Sequence, residues 1–169
     1  MIIGNGDIAK VLTDKDGVIF FASGVSNSLE TNEAEFLREE KLLLSQIKSY
    51  KLVYFSTLSI YSKDSPYTRH KKQMESLVKF YFKDYCIVRI GNITWGNNPN
   101  TLINSLNKKI RTNEDFVVRD EMKYIINKED FLHWIELIPT FATEMNITGR
   151  HIKVKDIVGQ LETFGTFVI

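Results

Sequence analysis

Short apolar runs alternate with longer segments of helical periodicity along the first ninety residues. Three of the runs, Val18–Phe21, Leu52–Phe55 and Cys86–Ile90, are continuous rather than alternating in polarity. Continuous apolar runs are typical of central parallel strands that are covered on both faces. The pattern therefore predicts a buried parallel sheet.

Two segments between these runs have the spacing of amphipathic helices. Asn32–Ile47 repeats apolar residues at helical intervals, and Tyr67–Phe82 has one apolar side. Pro66 precedes the second segment and suits the first position of a helix. Alternation of strands and helices favours right-handed crossovers, so we predict an α/β three-layer sandwich with four or five parallel strands.

The pattern after Trp95 is mixed. We expect helices around Thr101–Lys109 and Lys128–Ile138, with short strands near Phe116 and Ile152. No repeat or linker composition divides the chain, so residues 1–169 are expected to form a single domain.

Composition narrows the class of protein. The chain has 169 residues, 43% hydrophobic and 25% charged, with a net charge of +1. Bulk binding to nucleic acid or to an anionic membrane is not predicted from so small a charge. Cys86 is the one cysteine, which excludes an internal disulfide, and its apolar neighbours predict an inert core thiol. No signal peptide or membrane span is expected, which favours a cytoplasmic location.

A glycine-rich turn follows the first apolar residues. Gly4, Gly6 and Ala9 have the spacing Gly-x-Gly-x-x-Ala. In a strand-to-helix turn, Gly4 allows the tight bend, Gly6 allows a pyrophosphate to approach the backbone, and the helix N-terminus attracts the negative charge. Alternatively, small residues serve any tight turn. Asp7 is expected to cap the helix or to face solvent.

Tyr67 and Lys71 are four residues apart and would share one helix face. A nearby ammonium lowers the pKa of a phenol from its usual value of about 10. Thr57, ten residues earlier at the end of an apolar run, offers a hydroxyl to a substrate oxygen. Alternatively, the tyrosine packs on the helix and the lysine is solvated.

The order of these motifs resembles that of the NAD-dependent epimerase/dehydratase family, the extended branch of the short-chain dehydrogenase/reductases. Ser56-Thr57 resembles the family's Ser-Ser/Thr-x-x-x-Tyr strand, and Arg89-Ile-Gly-Asn92 resembles its Leu-Arg-x-x-Asn-x-x-Gly strand. The resemblance extends over nearly the whole chain, to Lys123–Phe131 and Ile152–Val158. It implies a reduced Rossmann-like sandwich with a small C-terminal substrate lobe, at about residues 95–169.

The resemblance implies an NAD- or NADP-dependent enzyme that acts on a nucleotide sugar. Thr57, Tyr67 and Lys71 would be catalytic, and Ser59 and Asn92 would contact the substrate. The residues implied to contact the cofactor are Gly4, Gly6, Asp7, Ile8, Ala22, Ser23, Gly24, Tyr67 and Lys71. Asn92 could equally be a turn residue that caps its strand.

The chain also departs from the family. About ten residues separate the glycine-rich turn from Val18, where the family places two further strands and helices that border the adenosine. The alternative function is therefore a catalytically degenerate member that serves as a nucleotide-binding or assembly module. The family's paired helices imply a homodimer through Asn32–Ile47 and Tyr67–Phe82.

The remaining candidates are weaker. Arg69, His70 and Arg119 could meet phosphate, but basic residues are usually solvated, and we expect all three on the surface. The histidines have no metal-ligand spacing, so no metal site is predicted.

Overall fold

Eight strands and five α-helices make up the fold in the computed structural model, which describes residues 1–169. The strands are β1 Ile2–Ile3, β2 Val18–Phe21, β3 Lys51–Thr57, β4 Tyr85–Ile90, β5 Asn92–Ile93, β6 Met122–Ile126, β7 Thr143–Ile147 and β8 Arg150–Lys153. The helices are α1 Glu33–Leu44, α2 Pro66–Tyr81, α3 Leu102–Arg111, α4 Lys128–Glu136 and α5 Val154–Phe164.

The main sheet contains five parallel strands in the order β1-β2-β3-β4-β7. In its centre Val53 of β3 pairs with Phe20 of β2 and with Cys86 of β4. All four residues of β2 are buried. The α/β class and the parallel sheet predicted from the continuous apolar runs are confirmed.

Helices cover both faces of this sheet. On one face α1 and α2 pack against Ile19, Leu52 and Ile87 through Leu43, Met74 and other core side chains. On the other face α4 packs through Phe131, whose ring centroid lies 5.9 Å from that of Phe55. The three layers of the predicted sandwich are therefore present.

A second, small sheet of three strands has the order β5-β6-β8. β5 and β6 are parallel, whereas β6 and β8 are antiparallel. Helices α3 and α5 pack on it through Ile103, Leu106, Ile157 and Leu161, around the buried Ile125 of β6. The chain after Trp95 is therefore divided: α3, β6, β8 and α5 build this small lobe, whereas α4 and β7 belong to the main sandwich, so the lobe is smaller than the expected residues 95–169.

Of the two short strands predicted for this half of the chain, the one near Ile152 forms as β8, and the one near Phe116 does not. No strand forms at Phe116, because the β6–β8 ladder begins only where Met122 pairs with Lys153. Phe116 instead packs against the core of the small lobe. The edge strand β7 was not predicted, since its exposed Glu144 and Asn146 break the apolar run.

Cys86 is fully buried in β4, and burial raises the pKa of its thiol to about 11. A thiol that stays protonated at neutral pH is a poor nucleophile. The prediction of an inert core cysteine agrees with this environment.

The apolar residues on the two helices of the predicted dimer divide into buried and exposed members. Leu43 is fully buried within the chain's own core, so a charge there would disrupt folding rather than a dimer. Leu37 and Phe80 are among the members exposed to solvent, at 51% and 81%. No helix combines the length and the apolar character required to cross a membrane.

Replacing Leu43 with alanine should lower the free energy of unfolding by about 2–5 kcal/mol, because it removes buried methyl groups and leaves a cavity. The matched control, Leu37→Ala on the same helix, should change it by less than about 0.5 kcal/mol. Urea denaturation followed by circular dichroism measures both. Equal effects of the two substitutions would contradict this assignment of the core.

Candidate functional site

The predicted catalytic residues lie at the carboxyl edge of the main sheet, where open α/β sheets bind ligands. Thr57 ends β3, and its hydroxyl accepts a hydrogen bond from the Ser59 backbone N–H at 3.1 Å. A 3-10 turn, Leu58–Tyr61, leads towards α2. The structure therefore brings Thr57 and the start of α2 to one place.

Helix α2 begins at a well-defined cap. Ser65 and Thr68 form a reciprocal capping box, and Pro66 occupies the first turn. This start fixes the register in which Tyr67 and Lys71 both face inward, and both are buried. The Lys71 ammonium lies 6.0 Å from the centroid of the Tyr67 ring.

The ammonium of Lys71 forms an ion pair with the carboxylate of Glu39, a residue that the sequence did not predict as part of the site. Glu39 of α1 is fully buried, and its Oε1 accepts hydrogen bonds from Lys71 Nζ at 3.0 Å and from Tyr54 OH at 2.7 Å. Its Oε2 accepts from the backbone N–H of Val25 at 2.6 Å and lies 3.0 Å from His70 Nε2. We call Glu39, Tyr54, His70 and Lys71 the Glu39 cluster.

Electrostatics keeps Glu39 charged inside the core. Burial alone would raise the pKa of its carboxyl. The positive charge of Lys71 and the hydrogen bonds from His70, Val25 and Tyr54 outweigh burial and hold that pKa well below its usual range.

His70 was expected on the surface, and this expectation is wrong. The imidazole is buried, stacks on the Phe36 ring at a centroid distance of 4.5 Å and reaches Glu39. A buried carboxylate with several acceptor sites draws neighbouring donors into the core. Arg69 and Arg119 are exposed as expected, and Arg69 pairs with Asp64 at 2.7 Å.

The pKa of the Tyr67 phenol is raised, and not lowered as the tyrosine–lysine spacing suggested. Burial is the largest cause and disfavours the phenolate. The positive charge of Lys71 and the Thr57 hydroxyl act in the opposite direction, but the negative charge of Glu39 opposes the lysine. Tyr67 therefore stays protonated at neutral pH and can donate a hydrogen bond.

Gly24 explains how the main chain closes over the Glu39 cluster. A Cβ atom at this position would lie 2.6 Å from Lys71 Nζ and 2.8 Å from Glu39 Oε1. Only a residue without a side chain allows this approach. Ser23 is held beside it, because the Arg38 guanidinium donates to the Ser23 carbonyl at 3.2 Å.

A second buried charge network lies on the neighbouring strand and was also missed. Arg89 of β4 donates to both oxygens of Glu75 in α2 and to the hydroxyl of Tyr61 at 2.9 Å. The Ser56 hydroxyl donates to Glu75, and Arg89 also donates to Glu144 of β7. Ser56 is thereby part of the core, whereas Thr57 is only half-buried.

The glycine-rich turn is only partly as predicted. Gly4 has a φ of 126°, and a Cβ there would meet the Ala22 carbonyl oxygen at 2.5 Å, so the turn requires glycine. The predicted helix does not follow. Residues Ala9–Val11 form one 3-10 turn with Ile8 at its start, because the chain returns to β2 by Val18.

Asp7 neither caps a helix nor points freely into solvent. Its carboxylate accepts hydrogen bonds from the backbone N–H groups of Asn97 and Asn98 at 3.1 and 2.9 Å. The Trp95 indole donates to the Asp7 carbonyl at 3.1 Å. The turn is thus tied to the loop that enters the small lobe.

The residues predicted to contact substrate have different surroundings. Asn92 begins β5 and donates its side-chain amide to the Tyr124 carbonyl at 3.0 Å, so it links β5 to β6. Ser59 lies in the 3-10 turn after Thr57 and is half-buried. Asn92 therefore has a structural partner in the neighbouring strand, and its contact with a substrate stays a prediction.

A nicotinamide dinucleotide does not fit these residues as a whole. Space above Gly6 is open, since a Cβ there would meet no atom within 4 Å, so a phosphate could approach its backbone. Other features that would bind the dinucleotide are missing. The turn leads into a 3-10 turn and not an α-helix, and β1 is the outermost strand on its side of the sheet. The Lys71 ammonium is already hydrogen-bonded to Glu39.

Comparison with solved structures identifies the class of fold. A UDP-glucuronic acid 4-epimerase from Bacillus cereus, in complex with UDP-4-deoxy-4-fluoro-glucuronic acid and NAD, matches with a TM-score of 0.68 and 19% identity. The match covers 95% of this chain and 63% of that one. No protein-family model matches the sequence, and no curated protein matches it significantly.

Two further structures belong to the same class. A UDP-N-acetylglucosamine 4-epimerase from Methanobrevibacter ruminantium has a TM-score of 0.62 and 20% identity over 94% of this chain and 63% of its own. A dTDP-glucose 4,6-dehydratase from Bacillus anthracis, in complex with NAD, has a TM-score of 0.68 and 16% identity over 89% and 58%.

These matches confirm the sequence resemblance at the level of the fold. The chain has the Rossmann-like fold of NAD-dependent nucleotide-sugar epimerases and dehydratases, and it spans less than two thirds of their length.

Replacing Asp7 with alanine should release the loop that it holds. The amides of Asn97 and Asn98 would lose a charged acceptor, a loss of about 1–3 kcal/mol. Hydrogen exchange followed by mass spectrometry should show faster exchange in the peptide containing these amides. Asp14→Ala, at an exposed residue in the next loop, is the control and should leave that peptide unchanged. Unchanged exchange in Asp7→Ala would show that the hydrogen bonds do not hold the loop.

Proposed function

We propose that this chain is a shortened member of the NAD-dependent epimerase/dehydratase family that binds a nucleotide sugar and acts as a nucleotide-binding or assembly module. It holds NAD or NADP weakly or not at all. One observation carries this proposal. The two-residue strand β1 is the outermost strand on its side of the sheet, so no further strand borders an adenosine there.

The choice of a nucleotide sugar rests on the fold and on the polar groups at the carboxyl edge. Related structures are those of epimerases and dehydratases, among them one in complex with a UDP-sugar and another in complex with UDP-N-acetylmuramic acid. In this chain Thr57 and Ser59 are half-buried at the carboxyl end of β3 and supply hydroxyls, and the buried Tyr67 follows in the first turn of α2. Hydroxyls that donate and accept hydrogen bonds suit the polar groups of a sugar.

A second candidate function is the enzymatic one, in which Thr57, Tyr67 and Lys71 act on the bound sugar. The placement of Thr57 at the end of β3 and of Tyr67 in the first turn of α2 favours it, because two hydroxyls at one edge of the sheet would address one substrate oxygen. Tyr67 would exchange a proton with that oxygen. The raised pKa of its phenol and the occupied ammonium of Lys71 are the reasons for ranking this function second.

The proposal includes a homodimer through α1 and α2. Exposed apolar side chains on these helices, Leu37 and Phe80 among them, support it. A dimer with twofold symmetry would bury these side chains of both subunits in one interface and would not continue into a larger assembly. The exposed Leu37 is the better site for a disrupting charge, since Leu43 belongs to the core.

A thermal-shift panel tests the ligand. A UDP-sugar or dTDP-sugar at 100 times its Kd should stabilise the fold by about 2.7 kcal/mol, or roughly 5–10 °C in Tm. NAD and NADP should give much smaller shifts at the same concentration, because the adenosine end would lack protein contacts. A large shift with either dinucleotide and none with a nucleotide sugar would contradict the proposal.

The substitution Tyr67→Phe separates the two candidate functions. A module should retain the nucleotide-sugar shift to within about 1–2 °C, because a single neutral hydrogen bond contributes little. An enzyme should turn over a nucleotide sugar and lose about 10²–10⁴-fold of that rate in the variant. Product analysis by chromatography, after incubation with each sugar and NAD, measures this. Turnover that depends on Tyr67 would make the enzymatic function the correct one.

A further inference from the structure

The Glu39 carboxylate is saturated by groups of its own chain. Its two oxygens receive Lys71, Tyr54, the Val25 backbone and His70 at distances between 2.6 and 3.0 Å. No solvent reaches it. A buried carboxylate of this kind persists only when its charge is neutralised and its lone pairs are filled.

The Lys71 ammonium is enclosed in the same way. It donates to Glu39 Oε1 at 3.0 Å and to Tyr54 OH at 3.1 Å, and the Tyr54 ring centroid lies 5.1 Å away. The residue is 2% exposed. Two oxygen atoms of the protein thus accept the hydrogen bonds of the ammonium that the hydroxyls of a bound molecule would otherwise accept.

The backbone of Gly24 closes the remaining side. It approaches Lys71 so closely that any side chain at position 24 would collide with the ammonium. The next residue, Val25, donates its N–H to Glu39, which anchors this segment over the lysine. A ligand could reach Lys71 only if the segment moved away and the hydrogen bond to Glu39 broke.

Breaking that contact would leave Glu39 charged and poorly compensated inside the core. Removing one partner of a buried ion pair is strongly destabilising, because the other charge remains without solvent. Lys72, the next residue along α2, is exposed and has no such constraint. The two adjacent lysines therefore differ in environment although they share sequence context.

We infer that Glu39 is an internal ligand of Lys71: its carboxylate and the Tyr54 hydroxyl replace an external ligand, and the lysine of Tyr-x-x-x-Lys serves as a structural link between α1 and α2. Lys71 then takes no part in holding a cofactor. This role holds whether or not a nucleotide sugar binds, because it rests on contacts within the chain.

Amine labelling of the native protein gives the first test. An N-hydroxysuccinimide acetate reagent followed by mass spectrometry should modify Lys72 readily and Lys71 at least tenfold more slowly. In denaturant the two lysines should react alike. Adding NAD should leave the Lys71 rate unchanged. Native labelling of Lys71 at the rate of Lys72, or selective protection of Lys71 by NAD, would overturn the inference.

A double-mutant cycle gives the second test. Lys71→Met and Glu39→Gln should each lower Tm by roughly 10 °C, since each leaves a partner unpaired. In the double variant the loss in Tm should be less than half of the sum of the two single losses, because both charges are removed together. Lys72→Met and Glu40→Gln are matched neutralising controls at neighbouring positions and should change Tm by no more than about 2 °C.

The outcomes separate this inference from the proposed function. Additive single effects, or a Lys71→Met variant as stable as the wild type, would overturn the structural link. Should the single variants fail to fold, the labelling of wild-type protein still decides. Absence of any nucleotide-sugar shift in the wild type would contradict the proposed function and leave the cycle, measured without ligand, unaffected.

Discussion

The charge of Glu39 in the core is the constraint around which the helical layer is arranged. A carboxylate removed from water costs several kcal/mol unless a cation and hydrogen-bond donors meet it. Here the cation comes from α2, one hydroxyl from β3 and one backbone N–H from the segment after β2. Because these donors belong to three separate parts of the chain, satisfying the carboxylate of α1 fixes their positions relative to that helix.

A second carboxylate is satisfied in the same manner. Glu75 lies on the inner face of α2 and meets Arg89 of β4, while Glu144 of β7 reaches the same guanidinium. The guanidinium fork can hold two carboxylates and the Tyr61 hydroxyl at once, which a lysine ammonium could not do with the same directionality. The Glu39 cluster joins α1 to α2 and β3, and the Arg89 network joins α2 to β4 and β7.

Much of the framework could be predicted because its signals are local. Val18–Phe21 forms a strand over the predicted residues, and Ser65 with Pro66 sets the start of α2. The partner of Lys71 could not be predicted, since Glu39 is 32 residues away. One signal was available: Glu39 lies four residues before the buried Leu43, on the apolar face of α1, where a charged residue must find a partner. Burial of the Tyr67 phenol, and after it the charge of Glu39, raises the pKa of Tyr67, so spacing alone gave the wrong direction for that pKa.

The link between Asp7 and the Asn97–Asn98 amides has a consequence for the order of folding. The partners are about ninety residues apart, and β1 contributes only two residues to the sheet. During synthesis the first turn cannot complete its contacts until more than half of the chain has left the ribosome. Long-range closure of this kind slows folding, because loop entropy is lost before the contact forms. The amino-terminal strand is therefore expected to join a sheet that the later strands have already begun.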